Sequence, residues 1–120
     1  MAEMRAFHES DEPYIGPASG GVMERTGGRA RRKVLNAPDT GLYVNLGQYD
    51  PNIVVAAHSH SQPELVYILE GTVNIGGRDC PAGTVLQIPA GTAYGPLKAG
   101  PAGVRFLTMR PGQTNTTIAE

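Results

Sequence analysis

The stretch Ile53-Val54-Val55-Ala56-Ala57-His58-Ser59-His60-Ser61-Gln62-Pro63-Glu64-Leu65-Val66-Tyr67-Ile68-Leu69 decides how this chain folds. Apolar runs flank a short polar segment on both sides, and both predict buried strands. In a strand, side chains at i and i+2 leave from the same face, so His58 and His60 point the same way. Pro63 has no N–H to give to a ladder, so a turn is expected at Ser61-Gln62-Pro63. The next strand then starts at Glu64 and carries its carboxylate back beside the imidazoles. Two imidazoles and one carboxylate on one face make a divalent-metal site with open positions, as used by non-haem iron oxygenases and some zinc enzymes.

Working outward, Leu42 to Tyr49 alternates and predicts a strand, and Asp50-Pro51-Asn52 is a turn by composition. Ile53 to His60 and Glu64 to Glu70 are expected as strands. Gly71 marks a tight turn into Thr72-Val73-Asn74-Ile75, and Gly76-Gly77 a hairpin. Pro81-Ala82-Gly83 and Pro89-Ala90-Gly91 punctuate the strand Thr84 to Ile88 and the segment Thr92-Ala93-Tyr94. The last strand is Val104 to Met109. Shorter strands are expected at Arg31 to Leu35 and Val22 to Glu24. There is no helix signal and no repeat. The 16 glycines and 10 prolines break the chain into short apolar runs, which favours an all-β sandwich or small barrel. The expected organisation is an N-terminal arm over 1–28, one domain over 29–112 and a polar tail over 113–120.

Composition narrows the function. A chain of 120 residues builds one domain with a single core. A formal net charge of -1 gives no ground for binding nucleic acid or an anionic membrane surface. One cysteine, Cys80, excludes an intrachain disulfide and fits a reducing cytoplasm. Met1 to Asp11 lacks the apolar core of a signal peptide, and no apolar run approaches the ~20 residues of a spanning helix.

The order of these residues resembles the cupin superfamily. His58-x-His60, Glu64 and Gly71 fit the later part of its first motif, whose leading glycine falls at Asn52. Gly83, Pro89 and Gly91 fit the second motif, with Tyr94 at its histidine position and Lys98 at its asparagine position. The match spans 52–98. The resemblance implies a double-stranded β-helix, or jelly-roll barrel, with a metal inside, and a homodimer that exchanges or pairs N-terminal strands. Metal-binding cupins typically use three histidines and one glutamate. This chain has His8, His58 and His60 alone, and His8 lies in the arm.

Tyr94 therefore has three readings. It is a phenolate ligand, suited to ferric iron or zinc, since a metal lowers the phenol pKa. It stands beside the metal as an acid/base or as a hydrogen-bond donor to substrate. Or it packs in a site that has lost its metal. The expected function is a metal-dependent enzyme acting on a small oxygen-bearing molecule, either a dioxygenase or a lyase, isomerase or cyclase. His58, His60 and Glu64 would hold the ion, with iron preferred and zinc, nickel or manganese as alternatives. The rival is a non-catalytic small-molecule binder or sensor.

Other polar residues have plainer readings. Gln62 is a turn residue that would touch metal or substrate only if it turned inward. Gln87 either lines the cavity or faces solvent. Tyr43 and Tyr67 are expected to pack, and Phe106 and Met109 to join the core. Arg29, Arg31, Arg32 and Lys33 read as a charged edge strand rather than a site for an acidic partner, and Cys80 as structural.

Overall fold

The structure is a computed structural model that describes residues 3–16, 29–112 and 114–118. Nine strands follow in chain order: β1 (Ala30–Val34), β2 (Tyr43–Tyr49), β3 (Val54–Val55), β4 (His58–His60), β5 (Glu64–Ile75), β6 (Arg78–Pro81), β7 (Val85–Ile88), β8 (Leu97–Arg110) and β9 (Thr116–Ile118). The only helical pieces among the described residues are two single 3₁₀ turns, Glu9–Asp11 and Pro38–Thr40. The larger sheet has seven strands and runs β1-β2-β8-β5-β6, with β3 paired to β8 and β7 to β5; β4 and β9 form a second sheet. The expected all-β jelly roll is what forms, but its hydrogen-bonded sheets do not close into a barrel.

The strand β5 organises the molecule. Glu64, Val66 and Ile68 are buried, while Tyr67 between them is exposed. The register then shifts between Ile68 and Glu70 and between Gly71 and Val73. The odd-numbered Val73 is the buried residue beyond the shift. A bulge inserts one residue and so exchanges the faces of everything after it. Gly71 was expected to end the strand, and the structure corrects this. It sits inside β5 at a φ of +77°, and an added Cβ would run into the Gly103 carbonyl. That close approach is open to glycine alone. The Gly76-Gly77 hairpin forms as expected, with φ of 58° and 93° at its two glycines.

The continuous strand expected over Ile53 to His60 is broken instead. β3 pairs with β8, whereas β4 pairs with β9 and, through His58, with Tyr94. The break moves the chain from one sheet to the other. Asn52, at the first-motif glycine position, has a φ of 65°. It meets the backbone demand that glycine usually meets.

The packed interior includes Ile53, Val55, Ile68 and Val73, all at most 3% exposed. Cys80 is buried beside them, as its structural reading requires. Phe106 packs against this cluster, but Met109 is only half-buried and pairs with Leu65 on the other face. Tyr67 lies on the same outer face, 39% exposed, so neither residue joins the core as expected.

The described terminal residues make contacts of their own. Residues 3–16 lie against their own sheet: Glu9 pairs with Arg105 at 2.9 Å, Arg5 with Asp39 at 2.7 Å, and Ile15 bridges to Arg32. The strand expected over Val22 to Glu24 falls outside the described residues. The polar tail contributes β9, which holds the second sheet together. Its alternating Thr116 and Ile118 pair with the two histidines, a long-range pairing that no local pattern announces.

Gly47 lies opposite Phe106 across β2 and β8, and an added Cβ would overlap the aromatic ring. Gly47→Ala is expected to lower stability by about 1–3 kcal/mol, read as a fall in the urea midpoint. Adding Phe106→Leu to the variant should recover part of the loss.

Candidate functional site

The two histidines reach the site as the i, i+2 rule requires. In β4 His58 and His60 are buried on one face, and Ser59 between them is not. Glu64 opens β5 and faces the same interior. His58, His60 and Glu64 are 8%, 8% and 7% exposed. With Tyr94 they line one cavity of about 120 Å³. The imidazole rings stand 4.9 Å apart, and His58 lies 4.7 Å from the Tyr94 ring. The four side chains on which the sequence argument rests therefore converge.

Hydrogen bonds set the state of each ring. His58 Nδ1 is 2.7 Å from the Ala56 carbonyl. A carbonyl only accepts, so Nδ1 carries a proton, and in the neutral ring Nε2 keeps its lone pair. His60 Nδ1 meets the Thr116 hydroxyl at 3.0 Å. A hydroxyl donates or accepts, so this contact supports either tautomer. His60 Nε2 lies 3.2 Å from Glu64 Oε2 and 3.2 Å from the Tyr94 hydroxyl. Burial, then the Arg110 and His58 charges, lower the His60 pKa from 6.5 to about 4. The ring is neutral at pH 7.

Glu64 is the most heavily partnered group. Arg110 Nε donates to its Oε2 at 3.1 Å, and the Tyr94 hydroxyl donates to its Oε1 at 3.3 Å. Burial and the Glu64 charge raise the Tyr94 pKa well above its ordinary value. In these metal-free surroundings the phenol keeps its proton and acts as a hydrogen-bond donor.

The donor chemistry fits a divalent ion. His58 offers a free Nε2, and both Nδ1 atoms are tied to oxygens in the manner that orients metal-binding imidazoles. The arrangement is not closed around an ion, however. Among the described residues, no three His, Cys, Asp or Glu side chains stand in metal-holding geometry. Glu64 is committed to Arg110.

The remaining candidates separate. Gln87 is exposed and lies outside the cavity, alternating with the half-buried Leu86 and Ile88. Gln62 stays on its turn, where its backbone N–H donates to Thr114 at 3.2 Å. His8 caps the first 3₁₀ turn by accepting from the Ser10 N–H, far from this chemistry in its role. Tyr43 stacks near Arg110, 6.0 Å from ring centroid to guanidinium.

Two arginines had escaped the sequence argument. Arg110 ends β8 and lines the cavity beside Glu64. The alternation Phe106, Thr108, Arg110 would have placed it on the cavity face. Arg32 was grouped with a solvated edge. Arg31 and Lys33 reach the Tyr14 ring at 5.1 and 4.6 Å, and Arg31 also borders the cavity. Arg32, between them, bonds Asn45 at 3.3 Å and lines the cavity.

An unclosed jelly roll with His-x-His and Glu converging on its interior is a cupin. The chain belongs to the family of ChrR cupin-like domains, whose model matches residues 22–114. No curated protein matches it. Among solved structures it is similar to the polyketide cyclase RemF from Streptomyces resistomycificus. That match has a TM-score of 0.76 and 21% identity, covering 98% of this chain and 87% of the other. An acetylacetone dioxygenase from Acinetobacter johnsonii matches with a TM-score of 0.68 and 17% identity, over 100% of this chain and 80% of the other. A sugar phosphate isomerase of the cupin superfamily from Silicibacter pomeroyi matches with a TM-score of 0.59 and 23% identity, over 74% and 66%. At these identities the likenesses show the fold. No helix among the described residues is long and apolar enough to cross a membrane.

The depressed His60 pKa has a consequence for the metal-free protein. Between pH 6.5 and about 4 the unfolded chain binds a proton at His60 that the folded chain refuses. Stability therefore rises with pH across this window and His60 adds no further dependence outside it. Urea midpoints measured across that range should fall toward acid more steeply in the parent than in His60→Asn.

Proposed function

We propose that this chain is a small metal-dependent cupin enzyme acting on a compact, oxygen-bearing organic molecule in the cavity. The observation that carries this reading is His58. Its tautomer is dictated by the Ala56 carbonyl, leaving a bare Nε2 on the wall of a cavity it shares with His60, Glu64 and Tyr94. His58, His60 and Glu64 would hold the ion, with iron preferred and zinc, nickel or manganese as alternatives. When bound, the ion supplies Lewis acidity and, for iron, a route to O2 chemistry.

The chain's own residues supply the rest. Tyr94 keeps a proton at its hydroxyl, positioned to donate it or a hydrogen bond to a substrate oxygen. Thr116 holds the His60 ring and follows either tautomer. Phe106, Leu86, Ile75 and Leu97 line the cavity and present an apolar surface that excludes water. Cyclase, dioxygenase and isomerase names among the similar folds support an enzyme in this range, either an O2-dependent cleavage or a redox-neutral lyase, isomerase or cyclase step. A homodimer and a cytoplasmic setting belong to the same proposal.

A second reading is a non-catalytic binder or sensor. One observation favours it: Glu64 is already neutralised by Arg110 at 3.1 Å. A guanidinium there competes with a metal for the same carboxylate.

Metal analysis decides between them. The enzyme reading expects about one transition-metal ion per chain, as three protein ligands with open positions imply, and its loss in His58→Ala and Glu64→Ala. Arg110→Gln should take up the ion more tightly than the parent. Absence of metal from both the parent and Arg110→Gln would establish the binder. In the loaded enzyme Tyr94→Phe should keep the ion and lower kcat by about 10²–10⁴-fold, measured with the diketone or diol that supports O2 uptake.

A further inference from the structure

We propose that the ligand of this cavity is a compact carboxylate, held through its charged oxygens by Arg32. The inference rests on the cavity being the substrate site and adds the substrate's chemical class.

The fixed charges around the cavity are unevenly paired. Arg31, Arg32, Arg110 and Glu64 all line the cavity. Arg110 is paired with Glu64 at 3.1 Å. Arg31 reaches Asp50 at 3.5 Å and stacks on Tyr14. Arg32 has no carboxylate partner among the described residues. Its Nε donates to the Gly16 carbonyl at 3.3 Å and its Nη1 to Asn45 Oδ1 at 3.3 Å, both neutral acceptors. A guanidinium carries five N–H donors in a planar fork, so donors remain to it. Among the described residues, Arg32 is thus the cavity-lining cation that has no carboxylate partner.

An unpaired cation beside apolar walls is costly, and an anionic ligand removes the cost. The guanidinium fork matches the two oxygens of a carboxylate. Position supports the same assignment. Arg32 pairs with Gly47, and the Phe106 ring packs over that glycine as the neighbouring apolar wall. Asn45 and Thr108, opposite one another on β2 and β8, are 7% and 5% exposed and continue the polar wall from Arg32 toward Arg110. A ligand anchored at Arg32 therefore extends along this wall toward Glu64, His60 and Tyr94. The volume, about 120 Å³, suits a small acid, since a cavity of about 150 Å³ accepts a single benzene ring.

The test uses metal-free protein, so that it stands apart from the metal reading. Acetate, propionate and benzoate are titrated calorimetrically, each beside its neutral amide. At least one acid is expected to bind about tenfold or more tightly than its amide, the margin of a charged hydrogen bond. Arg32→Gln should abolish that preference. Arg32→Lys, which keeps the charge and loses the fork, should retain part of it and carries the test if Arg32→Gln does not fold. No binding of any acid, equal binding of acid and amide, or a preference that survives at full size in the Arg32 variants overturns the assignment. Metal content measured on the same preparations reports separately on the enzyme reading, so either proposal fails without the other.

Discussion

A carboxylate buried at Glu64 is the constraint around which the site is built. An ionised carboxyl withdrawn from water must be matched by donors or a cation. Here Arg110 supplies a charged donor, Tyr94 a phenolic one, and His60 closes the group at 3.2 Å. Each contact ties a different part of the chain to one atom pair: the end of β8, the segment after β7, and β4. The network satisfies the carboxylate without a ligand. It also means that anything entering the site to bind Glu64 must displace a partner already in place.

The scaffold delivers these groups through two backbone irregularities. The register shifts between Ile68 and Val73 exchange the faces of β5, so that Val66 and Ile68 before them and Val73 after them all reach the interior. The break at Ala56-Ala57 lets one apolar run serve two sheets. Val55 stays on β8, while His58 pairs with both Tyr94 and Ile118.

The cavity has two chemical characters. Its apolar part comes from Phe106, Ile75, Leu86 and Leu97. Its polar part runs from Arg32 through Asn45 and Thr108 to Arg110 and the histidine cluster. Such a division orients a ligand that is itself apolar at one side and charged or oxygen-bearing at the other. The ChrR cupin-like family to which the chain belongs is defined by its fold, and the chemistry is written in this wall.

Local sequence settled a good deal. Period-two alternation put His58 and His60 on one face, Pro63 placed the turn before Glu64, and the glycines marked positive-φ positions. Those are short-range steric facts that any window of residues carries. The motif order carried the cupin fold. What only tertiary structure decided was pairing between distant segments. Thr116 met His60, Arg110 met Glu64, and Arg32 met Asn45 while its neighbours met the Tyr14 ring. Gly71 became a bulge rather than a turn, because the Gly103 backbone approaches it from a strand about thirty residues away in sequence. Side-chain facing depends on register, and register is set by which strands meet. A local pattern therefore names the donors, and the assembled sheets determine what those donors hold.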